Sequence, residues 1–563
     1  MDSFKERRPY LYPRAHWLLY LIIGLAGLFN MFHPTILSGF DAVQAEPVDT
    51  RLNHYFLEHS FQWANNKEYN YELWSPPFYF PEENVLALSD NLLGTAPLYW
   101  LNRLFFGAKT SYQFWLMQVS LLAFLACVFL FRSVNISVLL SIGGAYAFAF
   151  GLPRINQVGH SQLLVQMYTP FALSSLFLFL KQPSSRRLAL AVAFFILQLA
   201  AGIYLGWFLL LGLIFFLPIY LIFNRGASSR LLSYFKTNWL SAMAVGCLGL
   251  LSIVWFMYPY LQTSAKLEGG WGYETVKNFL YPFHGWLVPS HASFLHRPWA
   301  DHLYIEGLAE GSHSLGVFGT AVLLCGVWVS IRSRQPEENV SLIRASVLTA
   351  LLLMLLTTPL TPDLSLWQLI YKAIPGAGAI RAVNRIWVIV YVFLLTGGLL
   401  SVQCLMHRFR RPAVLAISGL VLGWIMLENV QTSIPSFDPS PHDQRVREMA
   451  EVIEGKEVAY FVPDPERPAG VEVINAMWAG MIARTPVING ASSRPPAGYA
   501  LDIFNPSSKQ IFAWLGDQPV AEVHMVYPKD FNRIDDFLHW KPSDQAARQT
   551  QGDFVIYSVP WNK

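Results

Sequence analysis

Charged side chains are scarce in this chain of 563 residues. Asp, Glu, Lys and Arg make up 14% of it, whereas hydrophobic residues make up 53%. Soluble domains usually carry about 25% charged residues, so the composition excludes an ordinary soluble protein. The net charge of +3 gives no basic surface of the kind that nucleic acids require. The sequence therefore predicts a polytopic membrane protein that has membrane lipids, and no nucleic acid, among its partners.

Cysteine is also scarce, and several common motifs are missing from the sequence. The C-terminal part has no glycine-rich dinucleotide fingerprint and no P-loop, which disfavours ATP-driven or dinucleotide-dependent chemistry. No internal repeat is evident, so the usual sign of a secondary transporter is missing. The few cysteines lie in apolar runs without the spacing of a metal site or a disulfide framework; they are Cys127, Cys247, Cys325 and Cys404.

Long apolar runs are the main feature of the chain. A helix needs about 20 mostly apolar residues to cross a membrane, and about eleven stretches qualify. The run from 187 to 223 is too long for one span, so we place a tight turn near Ala200–Gly206. The first run follows four basic residues and lacks a cleavage site, which predicts an uncleaved span. The predicted spans are 16–37, 112–131, 136–152, 163–180, 187–203, 204–223, 238–260, 313–331, 343–360, 386–406 and 412–431.

The loops between these spans are of two kinds. One set is short and rich in Lys and Arg, and the other set is long and poorer in both. The positive-inside rule then predicts a cytoplasmic N-terminus, with the long segments outside. We expect residues 1–434 to form the transmembrane domain of a bacterial inner (cell) membrane protein. The expected outer loops are 38–111, 261–312 and 361–385.

The composition changes near Pro435, where charged residues become frequent and apolar runs shrink to strand length. Helical and strand-like segments alternate from there, which predicts a small α/β domain over 435–563, outside the cytoplasm. The predicted strands are 457–462, 521–527 and 554–559, and the predicted helices are 442–454, 472–484 and 507–516.

The first outer loop begins with a strongly polar stretch, DAVQAEPVDTRLNHYFLEH at 41–59. Residues 50–63 have the period of an amphipathic helix, with Leu52, Phe56 and Trp63 on one face and polar side chains on the opposite face. Such a helix can lie on the membrane surface with its apolar side down. We therefore predict an interfacial helix here.

Polar clusters that are distant in sequence all fall on the predicted outer side, which suggests a site that opens outward. Paired carboxylates such as Glu46 and Asp49 suit general-base work, or a divalent metal such as Mg or Mn. Paired arginines such as Arg381 and Arg385 suit a phosphate head group. A carboxylate that deprotonates an acceptor, facing arginines that hold a lipid-linked phosphate, makes a glycosyl-transfer site. The clusters are Glu46 with Asp49, 75–100, 154–164, 267–274 with 281–291, and 374–385.

Several of these segments together resemble the GT-C class of integral-membrane glycosyltransferases, in particular its YfhO-type and aminoarabinose-transferase-like branch. The segments are DTRLNHYFLEH, FYFPEENVLALSDNLLG, FGLPRINQVGHSQLL, PGAGAIRAVNR and VINGASSRPPAGY. They are spread over nearly the whole chain.

The resemblance implies a sugar donor linked to polyprenyl phosphate, an inverting transfer and a catalytic aspartate in the first outer loop. Asp49 matches that aspartate, and Asp90 matches the second acidic position of the loop. Together with Glu46 they are the catalytic candidates. Many members have an Asp-Glu or Glu-Asp pair where this chain has Asp49 and Thr50, so metal dependence stays open. The sugar stays open as well, and so does the acceptor, which could be a glycan, a lipid or a protein.

The remaining candidates each have an ordinary interpretation beside the functional one. A capping role is open to Asp49, and an arginine at a span end can simply snorkel to the interface. Histidines at an interface often only face water. The phosphate-binding candidates are Arg381, Arg385 and Arg154, and the substrate-binding candidates are His54, His59, His160, Tyr273 and His284.

Two other functions stay open at this stage. A flippase or transporter of lipid-linked glycans would also have a large apolar bundle, although it would need ionisable residues near the membrane midplane. A non-catalytic scaffold for envelope assembly would use the C-terminal domain as its binding module. The glycosyltransferase is the hypothesis that accounts for the one-sided polar clusters.

Overall fold

The computed structural model describes residues 14–267, 269–287, 293–303, 313–333, 338–361, 364–501, 508–529 and 547–561. This part of the chain is mostly helical. The helices up to the middle of the chain are α1 (Arg14–Leu37), α2 (Asp49–Asn65), α3 (Ala96–Arg103), α4 (Ala108–Ser133), α5 (Val138–Phe150), α6 (Leu152–Ile155), α7 (Tyr168–Lys181), α8 (Ser185–Ala201), α9 (Ile203–Phe223), α10 (Arg225–Thr237) and α11 (Trp239–Lys266).

The second half contains shorter helices between its spans. These helices are α12 (Tyr273–Lys277), α13 (Arg297–Leu303), α14 (Gly316–Arg332), α15 (Glu338–Leu356), α16 (Trp367–Ala373), α17 (Trp387–Met406), α18 (Arg411–Glu428), α19 (Ser440–Ile453), α20 (Ala469–Ala483) and α21 (Ser508–Leu515). The strands in the described residues are β1 (Val43–Gln44), β2 (Pro359–Thr361), β3 (Leu364–Ser365), β4 (Ser436–Phe437), β5 (Ala459–Phe461), β6 (Glu522–Pro528), β7 (Ala547–Gln551) and β8 (Phe554–Pro560).

A helix stands at each of the eleven predicted spans. Within the described residues, nine helical segments are long and apolar enough to cross a membrane. The other two, α8 and α14, have 17 residues each, which is the lower limit for a span. The chain is therefore a polytopic α-helical membrane protein, as its composition predicts. The long apolar run divides at Gly202, between α8 and α9, inside the range predicted for the turn.

The helix α17 lies at the centre of the bundle. Its residues from Trp387 to Ser401 are buried, and its neighbours include α5, α9, α14 and α15. By contrast, α11 and α18 leave most of their apolar side chains uncovered. Large exposed apolar surfaces are unusual on soluble proteins, so we assign these faces to lipid.

The C-terminal part contains a four-stranded mixed sheet in the order β5-β6-β8-β7. The strands β5 and β6 are parallel, whereas β6 and β7 each pair antiparallel with β8. The helices α19 and α20 pack on each other beside the sheet. The predicted small α/β domain is therefore present. Its edge strand β7 was not expected, because its residues are polar and mostly exposed and lack an apolar alternation.

The predicted surface position of α2 is wrong. The helix is present, but both of its faces are covered: Leu57 belongs to the apolar core of the membrane bundle, whereas Tyr55 and Phe56 belong to a second core shared with the C-terminal domain. The polar face holds the fully or nearly fully buried residues Arg51 and Glu58. An amphipathic pattern cannot distinguish a helix covered by lipid and water from one covered by two protein surfaces.

Both ends of the connection from α1 to α2 are fixed. Strand β1 pairs antiparallel with β4, which follows α18, with Val43 opposite Phe437. The Gln44 side chain donates to the Met31 carbonyl at 2.8 Å, and its backbone carbonyl accepts from the Thr50 hydroxyl at 3.2 Å. The start of α2 is thus held at the junction between the membrane bundle and the C-terminal domain.

A buried polar pair joins α2 to the C-terminal domain. The Arg51 guanidinium donates to Asn475 Oδ1 on α20 at 2.6 Å, and the Trp478 indole N–H donates to the Arg51 carbonyl at 3.2 Å. Burial lowers the pKa of Arg51 to about 10, against the opposing effect of the Asp443 and Glu472 carboxylates. A buried guanidinium of this kind depends on its acceptor.

The substitution Asn475→Ala removes that acceptor. Losing a hydrogen bond to a buried charged group costs about 2 kcal/mol, which corresponds to roughly 30-fold faster exchange of the amides that open with it. We therefore expect faster hydrogen exchange in α2 and α20. The matched control is Asn65→Ala, because the Asn65 side chain is exposed and donates only to the Phe61 carbonyl. Equal exchange rates in the two variants would contradict the structural role of this pair.

Candidate active site

The acidic start of α2 has two carboxylates with different surroundings. The Glu46 carboxylate accepts from the backbone N–H groups of Val48 at 2.7 Å and Asp49 at 2.6 Å. It therefore occupies N–H groups that would otherwise lack partners at the helix start. The capping role considered for Asp49 thus belongs to Glu46, while Asp49 is the first residue of the helix.

The Asp49 carboxylate is accessible. Its side chain is 40% exposed, and Oδ2 lies 3.4 Å from Nε2 of His160, which is 32% exposed. A carboxylate in the first turn of a helix is favoured by the helix dipole. Asp49 is thus fixed by the helix and by His160 on one side, and open to a ligand on the other.

The 3₁₀ turn Ser161–Leu164 lies against this carboxylate end. Asn53, one turn along α2, donates to the Asp49 carbonyl at 2.8 Å and to Gln162 Oε1 at 2.9 Å. The Tyr112 hydroxyl on α4 donates to Ser161 Oγ at 2.8 Å. The turn carrying His160 is therefore held by two helices, which places its imidazole beside Asp49.

Asp90 lies at the start of a different helix. Its Oδ1 accepts from the Ile203 backbone N–H at 2.6 Å, so it caps α9. Burial raises its pKa, while the N–H of Ile203 and the charge of Arg385 oppose that effect. Asp90 thus lies at the start of α9, within range of the charge of Arg385.

The predicted pair of arginines lies around the Tyr204 ring. The Arg385 Cζ is 5.6 Å from the ring centroid of Tyr204, and Arg385 is nearly fully buried. The Arg381 backbone N–H donates to the Tyr204 hydroxyl at 3.0 Å. The Arg381 guanidinium stacks on Trp271, with Cζ 4.8 Å from the ring centroid. Both guanidinium groups therefore lie at one end of α9.

A continuous set of contacts joins the carboxylate end of α2 to this arginine pair. Asn53 binds Gln162, and the Gln162 carbonyl lies 3.6 Å from the point where a β-carbon would stand at Gly202. Gly202 directly precedes Ile203, whose N–H binds Asp90. The start of α2, the 154–164 loop and the start of α9 thus form one assembly.

Arg154 has a different position from the one that a phosphate ligand would need. Its side chain is completely buried, and its Nη2 donates to the Leu164 carbonyl. Nη2 also lies 3.5 Å from Ser120 Oγ. The guanidinium therefore holds the far end of the loop that carries His160, which is a supporting position beneath the site.

Two histidines of α2 are enclosed by neighbouring groups. The His54 ring stacks on Tyr112 with centroids 4.7 Å apart, and its Nε2 lies 3.2 Å from the Tyr99 hydroxyl. His59 is fully buried, with Nδ1 2.7 Å from the Tyr69 hydroxyl and Nε2 3.0 Å from the Leu73 carbonyl. The structure does not bring His59 to the carboxylate end of the helix.

The two candidates of the second long loop, Tyr273 and His284, have different surroundings. Tyr273 packs on Tyr371 with ring centroids 5.3 Å apart, two residues after Trp271. His284 lies in the 3₁₀ turn Phe283–Leu287 and is exposed. The end of the predicted cluster 281–291 lies outside the described residues.

A divalent metal finds no ready group of ligands in the described part of the chain, since no three His, Cys, Asp or Glu side chains converge there. Glu46 is engaged by backbone N–H groups, which leaves Asp49 and His160 of the acidic cluster. The described residues around Glu46 and Asp49 therefore do not make the metal site that the paired carboxylates suggested.

Sequence reasoning missed several residues of this assembly. Trp271, Tyr204 and Arg494 surround the arginine pair, and Gln162 joins its two halves. The signal for three of them was present, because Trp271 lies in the 267–274 cluster, Gln162 lies in the 154–164 cluster and Arg494 lies in VINGASSRPPAGY. No pattern in these segments indicated which side chain would join the assembly.

Solved structures share this architecture over almost the whole chain. The arabinofuranosyltransferase AftD from Mycobacteria is 14% identical, with a TM-score of 0.53, over 98% of this chain and 40% of that chain. A variant of AftD gives a TM-score of 0.55 over 99% of this chain and 42% of that chain, again at 14% identity. AftD is a GT-C glycosyltransferase. The chain has the GT-C fold.

Other comparisons set limits on what the GT-C fold implies here. The oligosaccharyltransferase AglB from Archaeoglobus fulgidus is 12% identical, with a TM-score of 0.49, over 97% of this chain and 74% of that chain. This chain spans less than half the length of AftD. No protein-family model matches the chain, and no curated protein matches it in sequence. The likeness to AftD therefore establishes the GT-C fold and leaves substrate and activity to be proposed.

The enclosure of His59 predicts a pH-dependent stability. Burial lowers the pKa of His59 to about 4, whereas it is about 6.5 in an unfolded chain. Between these values the unfolded chain binds a proton that the folded chain does not. The contribution of His59 to the free energy of unfolding therefore falls as the pH falls from 6.5 to 4, by at most about 1.4 kcal/mol per pH unit.

The substitution His59→Gln removes this titration. We expect a lower melting temperature for the variant at pH 7, because two hydrogen bonds are disturbed, but a flatter decline between pH 6.5 and 4. The measurement is the apparent melting temperature of the purified protein at a series of pH values. Parallel curves for the wild type and the variant would contradict a neutral, enclosed His59.

Proposed function

We propose that this protein is a membrane glycosyltransferase that moves a sugar from a polyprenyl-phosphate-linked donor to an acceptor. The reaction takes place at the extracytoplasmic face of a bacterial inner membrane, where the long loops and the C-terminal domain lie. The observation that carries the proposal is the continuous assembly of an accessible Asp49 and an arginine pair in a GT-C fold.

Asp49 acts as the general base. Its carboxylate is accessible, and His160 at 3.4 Å orients it. A general base must reach the proton that it removes, and within the acidic cluster Asp49 is the carboxylate left open, since Glu46 is used by backbone N–H groups. Glu46 contributes by fixing the start of the helix that presents Asp49.

Arg381 and Arg385 hold the donor phosphate. Guanidinium groups match phosphate oxygens in geometry and stay charged. Asp90 lies within range of the charge of Arg385 and also caps α9. Its role is to position Arg385 relative to that helix. Arg154 supports the loop of His160 from below.

The reaction balances with these groups alone. The acceptor oxygen forms a bond with the anomeric carbon, and its proton passes to the Asp49 carboxylate. The bond between the anomeric carbon and the phosphate oxygen breaks, and the electron pair leaves with polyprenyl phosphate. Arg381 and Arg385 stabilise the negative charge that develops on that oxygen, as preorganised donors do. Attack opposite the leaving group inverts the configuration.

The substitution Asp49→Asn tests the general base. It keeps the shape of the side chain and removes its basicity, so we expect the rate of transfer to fall at least about 100-fold. The KM for the donor should change little, because a base acts in the transition state and not in donor binding. The assay is release of polyprenyl phosphate from a labelled lipid-linked sugar by the purified protein.

The matched control is Asp41→Asn, which removes the same charge eight residues upstream. Asp41 is 87% exposed and pairs only loosely with Lys109, at 3.5 Å, so this variant should keep full activity. Full activity of Asp49→Asn would refute the assignment of the base. Movement of labelled lipid across liposomes without cleavage of the donor would instead support the flippase, and inactivity of the wild type in both assays would support the scaffold.

A further inference from the structure

Two arginines from distant parts of the chain lie on one indole ring. The Arg381 Cζ is 4.8 Å from the ring centroid of Trp271, and the Arg494 Cζ is 5.6 Å from the same centroid. Arg381 belongs to the loop before α17, whereas Arg494 belongs to the C-terminal domain. Trp271 is therefore the point at which the C-terminal domain reaches the arginine pair of the candidate active site.

The indole is held in place by its backbone. The Trp271 N–H donates to the Gly378 carbonyl at 2.8 Å, and the Trp271 carbonyl accepts from the Tyr371 hydroxyl at 2.7 Å. The neighbouring Gly270 leaves no room for a side chain, because a β-carbon there would stand 2.2 Å from the Gly378 carbonyl oxygen. The backbone that carries the Trp271 ring is thus fixed against the 371–378 segment.

Arg494 is also held in place. Its Nη1 donates to the Gly269 carbonyl at 2.7 Å, and its Nη2 donates to the Leu267 carbonyl at 3.2 Å. A guanidinium has five N–H donors, so donors remain for a ligand. The backbone N–H of the preceding residue, Ser493, donates to Ser89 Oγ at 3.0 Å, next to Asp90. The segment around Arg494 is therefore tied to the arginine pair from two sides.

Two guanidinium groups, those of Arg381 and Arg494, lie on this one ring. An aromatic face attracts each guanidinium, but two like charges at this separation repel each other. Within the described residues, no ion pair involves Arg381 or Arg494. Two positive charges therefore share this ring without a carboxylate partner among the described residues. An anion would relieve this repulsion, as the phosphodiester of a lipid-linked sugar does, or the phosphate monoester of the released carrier.

We propose that Arg494 and Arg381, on the two sides of their shared contact with Trp271, form an anion site for a phosphate-bearing ligand, so that the C-terminal domain takes part in donor binding. This inference rests on the proposed function, because the phosphate it assigns is that of the lipid-linked donor. It adds a ligand-binding role for the C-terminal domain, and it predicts that the bound phosphate links that domain to the 267–274 loop.

The test measures binding of decaprenyl phosphate to the purified full-length protein in detergent. We expect Arg494→Gln to weaken binding about tenfold, as the loss of one charge-assisted contact does. Arg494→Lys keeps the charge and should keep most of the affinity. In the wild type, the ligand should also slow hydrogen exchange in residues 488–499, and Arg494→Gln should lose this protection.

The matched control is Arg484→Gln, which removes the same charge from the same domain. Arg484 pairs with the exposed Glu68 of the first outer loop at 2.8 Å, so it also joins the domain to a loop, but away from Trp271. The affinity of the Arg484→Gln variant for decaprenyl phosphate should equal that of the wild type. Decaprenol, which lacks the phosphate, should bind all variants alike.

The outcomes separate this inference from the proposed function. If Arg381→Gln weakens binding and Arg494→Gln does not, the role of Arg494 in the anion site is wrong. The proposed phosphate site at Arg381 and Arg385 would then still stand. If neither weakens binding, both are wrong. Equal loss in Arg494→Lys and Arg494→Gln would also overturn the inference, since charge would not be the cause. A parallel measurement with inorganic phosphate shows whether the headgroup alone, or the whole lipid phosphate, uses Arg494.

Discussion

The burial of α2 between two apolar cores is the constraint on which the rest of the site depends. One core is the membrane bundle, which contains Leu57, and the other is shared with the C-terminal domain and contains Tyr55 and Phe56. The helix can be buried on its polar face as well because Arg51 finds Asn475 and Glu58 finds Arg103. A helix held on all sides presents its first residue, Asp49, in a fixed direction.

This constraint explains the division of labour among the acidic residues. Glu46 occupies the N–H groups at the helix start, which leaves the next carboxylate, Asp49, free of that role. Asp90 does the equivalent work for α9 beside Arg385. Two carboxylates therefore fix helix ends and a third remains accessible. The same helix ends bring the basic and acidic parts of the site into one assembly through Gln162 and Gly202.

The sequence was informative wherever the solvent alone decides the structure. Lipid demands long apolar helices with their backbone hydrogen bonds satisfied internally, so the eleven helices and the break at Gly202 could be read from hydropathy and length. The strands β6 and β8 could be predicted from their apolar runs because most of their residues are buried away from water. The edge strand β7 could not, because its exposed polar residues form a strand only through pairing with β8.

The sequence was less informative wherever two distant segments decide the structure together. The polar face of α2 predicts contact with water, and only the partners at 475 and 103 convert it into a buried face. Likewise, the sequence suggests a capping role for Asp49, and only the loop geometry assigns that role to Glu46. Arg494 is 113 residues from Arg381 in the sequence, so their shared contact with Trp271 follows from tertiary structure alone.

The central claim is that one site contains both the accessible carboxylate and the arginine pair. The most direct test is a cryo-electron microscopy structure of the full chain with a bound lipid-linked sugar donor. The account predicts phosphate density in contact with Arg381 and Arg385, with the sugar ring extending from it toward the Asp49 carboxylate. Phosphate density elsewhere in the bundle, or a sugar directed away from Asp49 with protein between them, would contradict it.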